Sequence, residues 1–199
     1  MARLVIFAAF ALVPALARAD EPSDLGESDP SVHPPIENRI NFRIGLASAD
    51  RDLNGKGHPT ICLDVLIAYR FGVESCGTGE QLLHDEAGQE ISHYRINYRL
   101  AERSLWKGTA HVRTGVGFAE MQVGKDNPGF VFGKPDADRG SVSGPEAAVS
   151  AQWLLPMYRG FDFVVTATGG LAYFAHADEL ATTKSELQSF LSVEAGVGW

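Results

Sequence analysis

From Asn38 to the end of the chain, apolar and polar residues alternate with a period of two. Ile40, Phe42, Ile44 and Leu46 share one face, and Asn41, Arg43 and Gly45 share the other. The same alternation runs through 62–67, 71–76, 93–100, 110–118, 146–155, 161–173 and 191–199. Together these segments predict eight strands, with Gly, Pro, Asn and Asp clustered between most of them. Residues 176–188 can hold a short helix instead, and 80–88 carry no clear pattern. Connection lengths also alternate. Short turns fall near 68–70, 101–107 and 156–160, and longer loops near 49–60, 80–89, 124–141 and 176–187. An even strand count with this asymmetry predicts an all-β, eight-stranded antiparallel up-and-down transmembrane β-barrel, with both termini on the short-turn side.

The pattern alone does not say which face is inside. A soluble sandwich buries the apolar face, whereas an outer-membrane barrel turns it to lipid and fills the lumen with the polar one. Here the polar face is rich in glycine and carries charges of both signs: Arg43, Asp64, Glu74, Arg95, Arg99, Arg113, Glu146, Asp162 and Glu194. Four arginines against five acids can neutralise one another in a narrow lumen. Aromatic residues of the apolar face sit at strand ends. Trp106, Trp153, Phe161 and Trp199 lie near the short turns or the C-terminus, and Phe118 and Tyr173 near the long loops. Trp106 to Phe118 and Phe161 to Tyr173 each span 12 residues. On tilted strands that projects to roughly 30 Å, close to the separation of two aromatic girdles.

Residues 1–19 have the form of a cleaved export signal. Arg3 is followed by the apolar run Leu4–Val13, Pro14 breaks it, and Ala17-Arg18-Ala19 is a small-x-small cleavage site. The run is half the roughly 20 residues a membrane helix needs. Residues 20–37 are acidic and hold Pro22, Pro30, Pro34 and Pro35, the composition of a disordered arm. The barrel then occupies 38–199. The whole chain has 17 basic and 25 acidic residues, net −8, and removal of the signal leaves 15 against 25, net −10. With no basic patch, nucleic acid is excluded as a partner.

These features resemble the small eight-stranded outer-membrane β-barrel proteins of Gram-negative bacteria, the OmpA- and OmpX-like architecture. The resemblance rests on the export signal, the alternating strands and the closing segment SFLSVEAGVGW. It covers about residues 38–199 and concerns architecture, so it carries little about activity. It implies residence in the outer membrane as a monomer among lipid and lipopolysaccharide. It also implies recognition of the C-terminal aromatic strand by the barrel-assembly machinery.

Two cysteines, Cys62 and Cys76, flank the turn near residue 69 at equal distances. Facing positions in a hairpin have a constant sum, so the two sulfurs are expected opposite one another on the polar face. An exported chain meets an oxidising compartment, and a cross-strand disulfide follows. The same register sets Asp64 opposite Glu74, a destabilising like-charge pair unless compensated. Arg43 on the strand before and Arg95 on the strand after are the candidates to bridge them.

Catalytic chemistry finds little support. Folding about the 124–141 loop sets His111 opposite 154 and Ser150 opposite 115, too far apart for a hydrolytic pair. No His or further Cys is positioned with the cysteines, so no metal site is expected there, and no cofactor is expected either. Asp50-x-Asp52-x-Asn54-Gly55 begins like a calcium loop, but Ile61 stands where a bidentate Glu is required, and a polar turn is the expectation. Phe130 and Phe132 in loop 124–141 either contact a partner or lipopolysaccharide or pack on the rim. The expected role is non-catalytic: structural, adhesive or surface recognition through the long loops. The alternatives are a soluble lipocalin-like barrel that binds an apolar ligand, and a narrow ion channel.

Overall fold

The computed structural model describes residues 39–52, 57–78, 88–124, 130–135, 140–158, 160–180 and 185–199; at 50–52, 57 and 88 it describes the backbone alone. Residues 1–37, where the export signal and acidic arm are expected, together with Asn54, Gly55 and 80–87, lie outside the described residues. The chain forms a closed antiparallel barrel whose eight strands follow one another around the wall in sequence order. They are β1 (Ile40–Asp52), β2 (Gly57–Ala68), β3 (Phe71–Gly77), β4 (Gly88–Leu105), β5 (Gly108–Gly124), β6 (Ser141–Tyr158), β7 (Phe161–Tyr173) and β8 (Leu187–Gly198). In 176–188, where a short helix is possible from the sequence, the described residues hold a 3-10 turn at Ala177–Glu179, and β8 already begins at Leu187.

The barrel closes between β1 and β8, in register from Asn41↔Gly198 to Ala47↔Ser192. The terminal strand is clamped by backbone bonds. The amides of Arg39 and Ile40 donate to the Trp199 carbonyl at 3.0 and 3.1 Å, and the Trp199 amide donates to Ile40 at 2.9 Å.

The short turns are tighter than the sequence suggests. Strand pairing continues to Leu105↔Gly108 and Tyr158↔Phe161, so 101–105 and 156–158 are strand rather than turn. Each short turn lies next to a register shift: Leu66/Ala68, Arg99/Ala101 and Pro156/Tyr158. Such a bulge reverses which residues face inward beyond it. Alternation therefore fails there, and the strand ends look like loop in the sequence.

The face assignment is inside-out relative to a soluble barrel. All nine luminal charges are buried, Arg43 completely. Leu46, Ile67 and Val116 on the outer wall are 65%, 70% and 60% exposed. The aromatics of that wall pair at the two ends. Trp106 stacks on Trp153 at 5.8 Å, and Phe161 lies 6.1 Å from Trp199 at the short-turn end. At the other end Phe118 stacks on Tyr94 at 5.0 Å. Tyr173 sits at the end of β7, its hydroxyl donating to Glu186 at 2.8 Å. Residues 130–132, described within the 124–141 loop, lie against the outer wall. Phe130 meets both Tyr94 and Phe118, Phe132 meets Phe118, and the Ser143 amide donates to the Val131 carbonyl at 2.6 Å. Rim packing is thus the role these two phenylalanines fill in the fold.

One expectation about the lumen needs correction. Polar side chains do not fill it from end to end. Beneath the long loops the inward positions are Ile91, Met121, Val142, Ala172, Phe174 and Phe190, which form a buried apolar cluster. These residues lie at the strand ends beside the long loops. The β1 tip also reaches β4 there, pairing Arg51↔Gln89 and Asp52↔Gly88.

Candidate functional site: the luminal charge network

The network is assembled by the register of the first five strands. Asp64 on β2 pairs directly with Glu74 on β3, and Glu74 with Arg95 on β4. Glu74 is the hub. Its Oε2 accepts from Arg43 at 2.6 Å and from Arg113 at 2.9 Å, and its Oε1 faces Arg95 at 2.6 Å. Asp64 accepts from Arg113 and lies 3.4 Å from Arg43. Three guanidinium groups thus surround two carboxylates that would otherwise repel one another. Arg43 and Arg95 bridge the pair as expected. Arg113 does not follow from neighbouring-strand logic, because it reaches across the lumen from β5 to β2.

The network continues outward from this hub. Glu194 lies 3.9 Å from Arg43, and Glu146 lies 3.7 Å from Arg95. Glu146 also meets His93 Nδ1 at 2.6 Å, a partner the charge pattern did not single out. The His93 ring packs on Phe190 at 4.2 Å, and the Arg95 guanidinium lies over the same ring at 5.6 Å. Phe190 is therefore the boundary between the charged middle of the lumen and its apolar end. Its ring fits because position 170 is glycine; a Cβ there would come within 2.4 Å of it. Asp162 is buried near the short-turn end of β7.

Arg99 belongs to a second, smaller cluster near the short turns. It donates to Glu102 at 2.6 Å, and His111 Nε2 lies 3.3 Å from the same carboxylate. Glu102 was absent from the sequence reading because the bulge at Arg99/Ala101 turns it inward. A signal for it does exist: an Arg-x-x-Glu spacing beside a turn.

The Cys62–Cys76 disulfide is present, one inward position above Asp64 and Glu74. His93 is paired opposite Cys76, contrary to the expectation that no histidine stands with the cysteines. The sulfurs are committed to one another, so this adjacency forms no thiolate ligand set. Among the described residues no group of three or more His, Cys, Asp or Glu side chains is placed to hold a metal ion. The β5–β6 register also differs from expectation by two residues. His111 faces Gln152, and Ser150 faces Arg113. His111 and Ser150 are therefore diagonal neighbours, closer than predicted, but Ser150 Oγ accepts from Arg113 at 3.4 Å while His111 turns to Glu102.

A cavity of about 30 Å³ runs along this second cluster, enough for about two waters. Comparison with family models, with curated proteins and with solved structures finds no match.

Proposed function

We propose that this chain is an exported integral outer-membrane β-barrel whose lumen is a side-chain plug and whose role is structural or adhesive, with recognition carried by the long-loop end. The observation that carries the reading is the reversal of polarity. Buried ion pairs fill the axis, while leucine, isoleucine, valine and phenylalanine are exposed around the wall between two aromatic rims. In water so continuous an apolar surface would drive association; against acyl chains it is the stable arrangement. Helices do not enter the argument, since strands would make the crossing.

The lipocalin-like alternative requires the apolar face inward around a ligand, which is at odds with this polarity. The channel alternative requires a continuous aqueous path, which is at odds with a charged hub sealed against an apolar plug. Lipid and lipopolysaccharide are the expected surroundings of the wall. The exposed faces of Phe130 and Phe132, half-packed on the rim, suit the glycolipid headgroup boundary. The C-terminal Trp199 strand suits recognition by the barrel-assembly machinery, and a monomer suffices.

Cell fractionation followed by urea or carbonate extraction tests the reading. The protein is expected to remain with outer membranes and to migrate differently on a gel with and without heating in detergent. Release into the soluble periplasmic fraction would refute it.

A further inference from the structure

The two ends of the barrel differ in charge. Among the described residues, the exposed basic side chains at the short-turn end are Arg39, Arg70, Arg103 and Lys107. The acidic side chains there are Glu102, held by Arg99 at 2.6 Å, and Asp162, which is buried. At the long-loop end, exposed Asp178 and Glu179 stand against one described lysine, Lys134. A chain of net charge −8 thus keeps a basic rim at one end. Within that rim Arg70 occupies a built position. It is fully exposed in the β2–β3 turn, and its guanidinium donates to the side-chain oxygens of Tyr69 and Tyr98 on the outer wall. The guanidinium lies 5.5 Å from the Tyr69 ring centre, and Tyr98 packs on Phe71 with ring centres 4.9 Å apart. β4 clamps the backbone of the turn: the Arg99 amide donates to the Arg70 carbonyl at 2.9 Å, and the Arg99 guanidinium donates to the Tyr69 carbonyl. No carboxylate pairs with Arg70 among the described residues. A guanidinium has more N–H donors than this pair of tyrosines can accept, and each phenol keeps a hydroxyl hydrogen to give.

We infer that Arg70, Tyr69 and Tyr98 form a docking site on the outer wall for the phosphodiester of an anionic phospholipid, in the leaflet that meets the short turns. The inference rests on the membrane reading above and adds a lipid class to one end of the barrel. Arg70 supplies charge and a planar fork of donors, and the two hydroxyls donate to further phosphate oxygens. The acyl chains would lie along the wall beside the turn, where Ile67 and Phe71 are 70% and 50% exposed. The other basic side chains of the rim repel a choline and favour a headgroup of net negative charge. The exposed acids at the long-loop end disfavour the same lipid there.

The test reconstitutes the full chain into phosphatidylcholine vesicles containing a minority of phosphatidylglycerol, with bromine on the acyl chains of one lipid or the other, and reads tryptophan quenching. Trp106, Trp153 and Trp199 all lie at the short-turn end, so the signal samples that rim. Phosphatidylglycerol is expected to quench about threefold or more beyond its share of the bilayer. Arg70→Gln is expected to remove about half of that preference or more. Tyr98→Phe, which keeps the ring against Phe71, should lower it by less. Arg103→Gln, the same change of charge on the β4–β5 hairpin, should lower it least. Inorganic phosphate, matched to chloride in ionic strength, should leave it unchanged. Heat-modifiable migration on a gel reports that each variant is folded. No preference for phosphatidylglycerol, equal losses in Arg70→Gln and Arg103→Gln, no loss in Tyr98→Phe, or displacement by inorganic phosphate would overturn this inference alone. Absence of quenching by either lipid, with the protein recovered apart from floated vesicles, would overturn the membrane reading and this inference with it.

Discussion

The barrel interior is filled in two ways. Its middle is a lattice of Arg43, Asp64, Glu74, Arg95 and Arg113, and its long-loop end is a plug of Ile91, Met121, Val142, Phe174 and Phe190. Both regions are buried, but they are stabilised by opposite physics. The lattice overcomes a large desolvation cost by geometry and is sensitive to the loss of any one partner. The plug gains free energy from burial itself and depends on volume rather than on charge. A lumen can therefore be sealed by either means, and the lattice is the one that also specifies which strands must face each other.

The largest effect is expected where a charge loses its partner. Arg113→Ala strips Asp64 of its closest cation and Glu74 of one of three, and should cost about 3–5 kcal/mol in urea unfolding followed by tryptophan fluorescence. Adding Asp64→Leu to Arg113→Met should recover much of that loss. If the single variant is nearly neutral, the lattice is hydrated and the contrast with the plug collapses. Next comes the plug. Met121→Ala should cost about 3 kcal/mol and, unlike Arg113→Ala, should be indifferent to salt concentration.

Replacing both Cys62 and Cys76 by alanine should cost about 2–3 kcal/mol, because the hairpin they close is short and already tied into the wall. In the intact protein, by contrast, mild reductant should leave stability unchanged, since both sulfurs are buried. The smallest effect concerns the clasp over the plug. Glu186 accepts from the His176 amide at 3.1 Å and from the Tyr173 hydroxyl at 2.8 Å, and these bonds, the amide first, hold its pKa below the ordinary value. Its contribution is therefore complete above the ordinary glutamate pKa and fades as pH falls through the lowered folded-state value. Glu186→Gln should flatten that acid-side slope in a thermal-shift series while barely moving the neutral-pH midpoint.

Much of this was legible in the chain. Period-two alternation assigned the faces of all eight strands, because each side chain's direction is fixed by the pleat. The hairpin sum placed Cys62 against Cys76 and Asp64 against Glu74, because a short, nearly symmetric turn leaves little freedom of register. The reading failed where those conditions lapse. Bulges beside each short turn invert the alternation, which hid Glu102 and shortened β4 and β6. The long β5–β6 loop does not divide evenly, so His111 and Ser150 were misplaced by two residues. Arg113 reaches across the lumen, and no local spacing records a contact between β5 and β2. The apolar plug is not legible in the alternation, because the pleat fixes which positions point inward and not whether the residue there is polar.

The hub also constrains how the chain can assemble. Arg43 comes from the first strand, Glu194 from the last, and Arg113 from the middle of the sequence, yet all belong to one connected cluster. No early hairpin satisfies it. Until β8 docks on β1, several of these ions still face solvent, so dehydration of the axis and zippering of the final seam must coincide. Ring closure is thereby made all-or-none, and a truncated chain lacking β8 would be left with an open, wet trough instead of a smaller barrel.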